Sequence, residues 1–134
     1  MALAVRSSTA PLRILIADDS PPVAEMLKEL LEEPGRIEVA GWADSQDSAL
    51  EAVRGLRPDV IILDLQLRTG TGTDVIRAMR SDSTMSDVKI LVTSNHVSPQ
   101  LREGCMQLGA DGYFDKVKEL QGLVEKVGAL ASAR

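Results

Sequence analysis

Aromatic residues are nearly absent from this 134-residue chain: one Trp, one Tyr and one Phe make up 2% of it. Proteins that grip single-stranded nucleic acid stack bases on aromatic rings, and this chain has no such surface to offer. Basic residues do not dominate either. Fifteen Lys/Arg stand against twenty Asp/Glu, a formal net charge of −5, which argues against a basic face that tracks phosphates. One Cys excludes an intramolecular disulfide framework and a Cys-rich zinc site, and it suits a reducing compartment. No run approaches the about 18 apolar residues of a membrane span. Residues 1–10 lack the charged-then-apolar order of a secretory signal and are expected to form a short flexible tail. The expectation is a cytoplasmic protein with one domain over residues 11–134, without membrane insertion or direct nucleic-acid contact.

What remains is a chain 44% hydrophobic and 26% charged, long enough to close a core without metal or disulfide staples. Apolar runs and helical stripes alternate along it. Leu12–Ala17 reads as a strand, followed by a helix capped by Ser20 with Pro21 in its first turn and a stripe at Val23, Met26, Leu27, Leu30 and Leu31. Pro34-Gly35 ends that helix. Ile37–Ala43 is a weaker strand with Trp42 at its end, where it packs at the rim of the sheet. Asp44 is placed to cap a second helix with Ala49, Ala52, Val53 and Leu56 inward.

Val60–Leu63 is apolar at every position, as a central strand covered on both faces should be, and it stops at Asp64. A loop from Arg68 to Thr73 leads to a helix with Val75, Ile76 and Met79 inward. It contains Gly70-Thr71-Gly72 but neither glycine-rich phosphate-binding signature. Val88–Thr93 is a fourth strand. Ser98-Pro99 opens a helix with Gly104 in its middle, a residue that there marks either close packing or an element that shifts easily. Ala110–Phe114 is a short fifth strand. A last helix carries Val117, Leu120, Leu123, Val124, Val127 and Leu130 on one side. Five strand-then-helix units predict an α/β fold: a doubly wound five-stranded parallel sheet with helices on both faces.

Open parallel sheets bind ligands beyond the carboxyl ends of their strands. Asp18-Asp19, Asp64, Thr93-Ser94 and Asp115-Lys116 stand at four such ends. Each alone has an ordinary reading: a helix cap for Asp18-Asp19, a turn residue for Asp64, a strand end for Thr93, a solvated lysine for Lys116. If these strands are neighbours, Asp18, Asp19 and Asp64 crowd one crevice and need a cation or protons. An all-oxygen set favours Mg²⁺, with Mn²⁺ as a substitute, over zinc. Lys116 and Thr93 then serve as a point charge and a hydroxyl donor for a phosphoryl group, and Asp64 as the nucleophile that forms an aspartyl phosphate. His96 and Cys105 read as a solvated loop residue and a packing residue.

The motifs Leu15-Ile16-Ala17-Asp18-Asp19-Ser20, Ile61-Ile62-Leu63-Asp64, Leu91-Val92-Thr93-Ser94 and Gly109-Ala110-Asp111-Gly112-Tyr113-Phe114-Asp115-Lys116 together resemble the receiver domain of two-component response regulators. The resemblance runs from about Leu12 to Leu130. It implies a flavodoxin-like fold with strand order 2-1-3-4-5, an order that the general rule for such sheets already gives for a family member. It implies Asp64 as phosphoacceptor, Asp19 as a direct Mg²⁺ ligand, Asp18 acting through water, and the backbone carbonyl of Gln66 as the third protein ligand. Lys116 and Thr93 would hold the phosphoryl group. Tyr113 would turn inward when Thr93 moves, and Gln66 and Asn95 would tune the lifetime of the phosphoryl group.

The implied partners are a sensor histidine kinase or histidine phosphotransfer protein, and a downstream target or a phosphorylation-dependent dimer. Arg102, Gln107, Lys118 and Glu119 are placed to meet such a target. The resulting expectation is a stand-alone phosphoacceptor switch or phosphorelay member, not an enzyme with a separate substrate. A phosphorylation-independent scaffold of the same fold is the main alternative. A Mg²⁺-dependent phosphohydrolase is weaker, because Gln66 stands where haloacid-dehalogenase-like phosphatases carry a second Asp. Two positions depart from the family's common pattern: Arg68 replaces a proline four residues after Asp64, and Lys116-Val117 replaces a Lys-Pro pair.

Overall fold

The run Val60–Asp64 (β3) is buried at all five positions and lies in the middle of a five-stranded sheet. Its neighbours are Leu12–Ala17 (β1) on one side and Lys89–Ser94 (β4) on the other; Ile37–Ala43 (β2) and Gly112–Asp115 (β5) form the edges. The order is therefore β2-β1-β3-β4-β5 and every pairing is parallel. In this computed structural model the chain is described over residues 10–96 and 98–134. The tail expected over residues 1–10 lies, apart from Ala10, outside them.

Alternation along the strands sorts the core into two layers. Leu12, Ile14, Ile16, Val60, Ile62 and Leu91 face the helices Pro21–Leu31 (α1) and Leu120–Ser132 (α5), where they meet Ala24, Leu27, Leu123 and Val127. Leu15, Ala17, Ile61, Leu63, Ile90 and Val92 face the opposite layer, built from Gln46–Leu56 (α2), Gly72–Ser81 (α3) and Pro99–Leu108 (α4). Each fully buried Ile, Leu or Val contributes about 1.5–3 kcal/mol, so the strands that carry the site's aspartates are the best-anchored part of the molecule.

The expected elements are present, with local corrections. On α1 the buried stripe is Ala24, Leu27 and Leu31, while Met26 and Leu30 are 38% and 46% exposed. Ala24, Leu27 and Leu31 pack with the strand residues of that core layer, and Val23 lies partly buried against it. Asp44 does not cap α2. Ser45 does, in a reciprocal capping box with Ser48, and the Asp44 carboxylate turns outward to Arg68. Val117 is 79% exposed and precedes α5, which begins at Leu120.

β5 starts at Gly112, later than the apolar run implied, because Asp111 is used as a clasp. Its Oδ2 accepts from Ile90 N at 2.9 Å and from Arg80 Nη2 at 3.0 Å, while Arg80 Nε donates to Gly109 O. No described residue lies within 4 Å of where a Gly104 side chain would begin, so close packing among them does not require that glycine. Cys105 is buried and packs in the core, as expected. Among the described residues no helix is long and apolar enough to cross a membrane.

Candidate functional site

The carboxyl ends of β1, β3, β4 and β5 bring the expected residues together. Asp64 pairs in register with Thr93 across β3 and β4, and Asp18 follows β1 on the other side. One carboxylate oxygen from each of Asp18, Asp19 and Asp64 lies within 4.8 Å of the others. Asp18, Asp64 and Thr93 are buried, whereas Asp19 is exposed.

The two buried aspartates divide their oxygens between structure and pocket. Asp18 Oδ1 accepts from Ser20 N at 2.9 Å, turning the chain into α1, and Asp64 Oδ1 accepts from Gln66 N at 3.0 Å. These are the cap and turn roles that strand-end aspartates commonly take. The second oxygens point at one ammonium: Lys116 Nζ is 2.7 Å from Asp64 Oδ2 and 2.8 Å from Asp18 Oδ2. Burial pushes the Asp64 carboxyl above the ordinary aspartate value, and the Lys116 and Gln66 contacts offset only part of this. Burial also opposes the Lys116 charge, but its close contacts with the Asp18 and Asp64 carboxylates outweigh it and hold the ammonium above the ordinary lysine value.

Two buried polar atoms, Asp18 Oδ2 and Thr93 Oγ1, have no hydrogen bond of proper geometry among the described residues; Asp18 Oδ2 has only its ionic contact with Lys116. A buried hydroxyl left without a partner, as at Thr93, is costly and marks a place where something else is expected to bind. The donor set is three carboxylates and entirely oxygen, which fits a small hard dication such as Mg²⁺. Gln66 and Asn95 lie in the loops after Asp64 and Thr93, both exposed. The Tyr113 ring is already inward and buried, with its hydroxyl donating to His96 O at 2.6 Å.

Three features of the site were not read from the sequence. The Trp42 indole, at the rim as expected and 46% exposed, donates to Asp18 O at 2.8 Å and so fixes the peptide between the two aspartates. Arg102 and Glu119, expected as free partner contacts, are bonded to each other at 2.9 Å. The loop after Asp64 is tied to the loop before α2: Arg68 N donates to Asp44 O at 2.8 Å, Gln46 N to Thr69 O and Thr71 N to Gln46 Oε1. Polar contacts between elements distant in sequence leave no periodicity, so no sequence signal singled these pairs out. The peptide bond after Lys116 is trans, as are all described peptide bonds.

The fold and this site define a class: a flavodoxin-like α/β domain with an acidic pocket at the carboxyl edge of its sheet. The chain belongs to the response regulator receiver domain family, whose sequence profile matches residues 14–128. It is similar to the DNA-binding response regulator MtrA of Mycolicibacterium smegmatis, 39% identical over 117 residues, which is 87% of this chain and 49% of that protein. It is also similar to protein-glutamate methylesterase/protein-glutamine glutaminase 3 of Myxococcus xanthus, 46% identical over 84 residues, 63% of this chain and 23% of that protein. The chain thus spans half or less of these relatives. Among solved structures, the signal receiver domain of NarL from Mycobacterium tuberculosis superposes with a TM-score of 0.81 at 30% identity, covering 93% of this chain and 99% of that one.

Proposed function

We propose that this receiver domain accepts a phosphoryl group on Asp64 from a phosphohistidine donor and signals through the conformation that follows. The observation that carries this reading is a buried Thr93 hydroxyl without a partner among the described residues, next to Asp18 and Asp64 carboxylates that share the Lys116 ammonium. Asp18, Asp19, Asp64 and the Gln66 carbonyl would hold Mg²⁺, which when bound neutralises charge on the phosphoryl oxygens. Asp64 attacks phosphorus, an O–P bond forms as the donor's N–P bond breaks, and the imidazole keeps the electron pair. Lys116 turns from the carboxylates to a phosphoryl oxygen, and the Thr93 hydroxyl gains the partner it lacks. Later attack by water on phosphorus returns the carboxylate and releases inorganic phosphate, with Gln66 and Asn95 bordering the water's path.

A sensor kinase or phosphotransfer protein on the cytoplasmic side would be the physiological donor, and the output is contact with a target protein, not turnover of a separate substrate. Phosphorylation biases an equilibrium already present in the fold, with Thr93 and Tyr113 as its moving parts. The test is intact mass after incubation with acetyl phosphate and Mg²⁺. A labile gain of about 80 Da, absent without Mg²⁺ and in Asp64→Asn, is expected. No gain, together with a Trp42 fluorescence that ignores beryllofluoride, would instead favour the scaffold reading.

A further inference from the structure

Lys116 reaches the pocket from a turn, not from a strand or helix, so its aim depends on whatever fixes that turn. Its own N–H donates to Ser94 O at 2.9 Å, which sets where the turn begins. Beyond it, Asp115 Oδ1 accepts from Val117 N at 2.7 Å and Lys118 N at 3.0 Å. Glu119 then closes the loop twice: its N–H donates to Asp115 O at 3.0 Å, and its Oε1 accepts from Asp115 N at 2.9 Å. The residues on both sides of Lys116 are therefore tied into one ring.

Glu119 stands at the N-cap of α5 yet makes no side-chain bond to that helix. Its carboxylate turns back toward Asp115. The same Oε1 accepts from Arg102 Nη2 at 2.9 Å. Arg102 in turn donates to Tyr113 O at 2.8 Å and stacks 5.1 Å above the Tyr113 ring. The Asp115 amide and then the Arg102 guanidinium hold the Glu119 carboxyl below the ordinary glutamate value. Both members of the Arg102–Glu119 pair are 41% exposed, so the pair adds little stability and its geometry is what it offers.

We propose that Glu119, held by Arg102, is a positioning residue that aims Lys116 at the phosphoryl group. The proposal rests on Asp64 being the phosphoacceptor, so labelling of the unaltered protein at Asp64 is established first; absence of label there overturns the earlier reading and not this geometry alone. The decisive measurement is the phosphorylation rate as a function of acetyl phosphate concentration, with Mg²⁺ binding followed separately through Trp42 fluorescence.

Glu119→Ala is expected to lower the limiting rate about tenfold, the scale of a modest misplacement of a reacting group. Its Mg²⁺ titration should stay unchanged, because Asp18, Asp19 and Asp64 are intact. Glu119→Gln keeps a carbonyl acceptor for the Asp115 amide and should recover most of the rate. In a Lys116→Ala background Glu119→Ala should have no further effect. Arg102→Ala, which leaves the turn's own bonds in place, should give a smaller loss in the same parameter and serves if Glu119→Ala unfolds. A wild-type limiting rate in both Glu119→Ala and Arg102→Ala would overturn the proposal. So would an undiminished Glu119→Ala effect without Lys116.

Discussion

Two loops deliver the pocket's working groups, and they are built on different principles. The loop after β3, residues 65–71, is held by backbone and packing. Gly72 presses on the chain, with a Cβ there lying 2.5 Å from Asp64 O and 2.9 Å from Leu65 Cα. Gly70 has a φ of +81° and sits against the Gln46 side chain, and Arg68 N and Gln46 N make cross-loop bonds. The loop after β5, residues 116–119, is held by carboxylates: Asp115 and Glu119 accept three backbone N–H groups between them. Each loop lacks the proline common in the family, and each replaces it differently. The first is rigid because its backbone has no room, whereas the second is shaped by charge-assisted bonds near solvent, which adjust more easily.

The largest contrast should come from adding a methyl group to each side. Gly72→Ala must displace the backbone at the end of β3, and a loss of about 3 kcal/mol in urea unfolding is expected. Gly122→Ala, in the first turn of α5, meets only the Phe114 ring at 3.5 Å among the described residues. It should be neutral or stabilising by up to about 1 kcal/mol, because Ala is the better helix former. Equal losses at the two positions would show that the backbone after β3 has no less room than the start of α5.

Restoring the missing prolines sharpens it further. Arg68→Pro removes the 2.8 Å bond to Asp44 O and the guanidinium contact with Asp44. It should cost about 1–2 kcal/mol of stability despite stiffening the chain. Val117→Pro removes one bond to Asp115 Oδ1 and leaves the Lys118 bond in place, on a residue that is mostly exposed. Its cost should stay below about 1 kcal/mol. The reverse order in thermal unfolding would show that the carboxylate-held turn is the stiffer of the two.

The parts of this molecule that were legible in the sequence are those with a period or a place at a strand end. The all-apolar run before Asp64 announced the central strand, and Asp18, Asp64, Thr93 and Lys116 meet because parallel strands put their carboxyl ends on one edge. Met26 and Leu30 misled because hydrophobicity marks a helix face without saying how wide the contact is. Asp44 misled because two adjacent capping residues compete, and Ser45 won by forming a reciprocal bond with Ser48. Arg102, Glu119 and Trp42 carry no signal at all until the fold places them. Their partners lie 17, 17 and 24 residues away.

Acid should distinguish the loops most finely. The amides of Lys118 and Val117 hold the Asp115 carboxyl below its ordinary value of 3.8, and the Asp115 amide and Arg102 hold Glu119 below 4.5. A carboxyl with a lowered folded value contributes stability that is present above its unfolded value and is lost as pH falls through the folded one. The turn after β5 should therefore loosen only below the ordinary carboxyl values. In the loop after β3 the Gln66 amide, bonded to Asp64 Oδ1, follows the raised Asp64 carboxyl, while the backbone bonds Arg68 N to Asp44 O and Gln46 N to Thr69 O depend on no carboxylate. Amide shifts of Asp115, Val117 and Lys118, followed by NMR from neutral pH downward, should titrate with midpoints below 3.8 and 4.5. Those of Arg68 and Gly72 should move much less over the same range. The energy involved is small because both groups face water, and the expected signal is a local change in shift with no change in overall unfolding. If the Gly72 amide moved with the Asp115 group, the two loops would be one coupled unit, and aiming Lys116 would depend on the Asp64 loop as well.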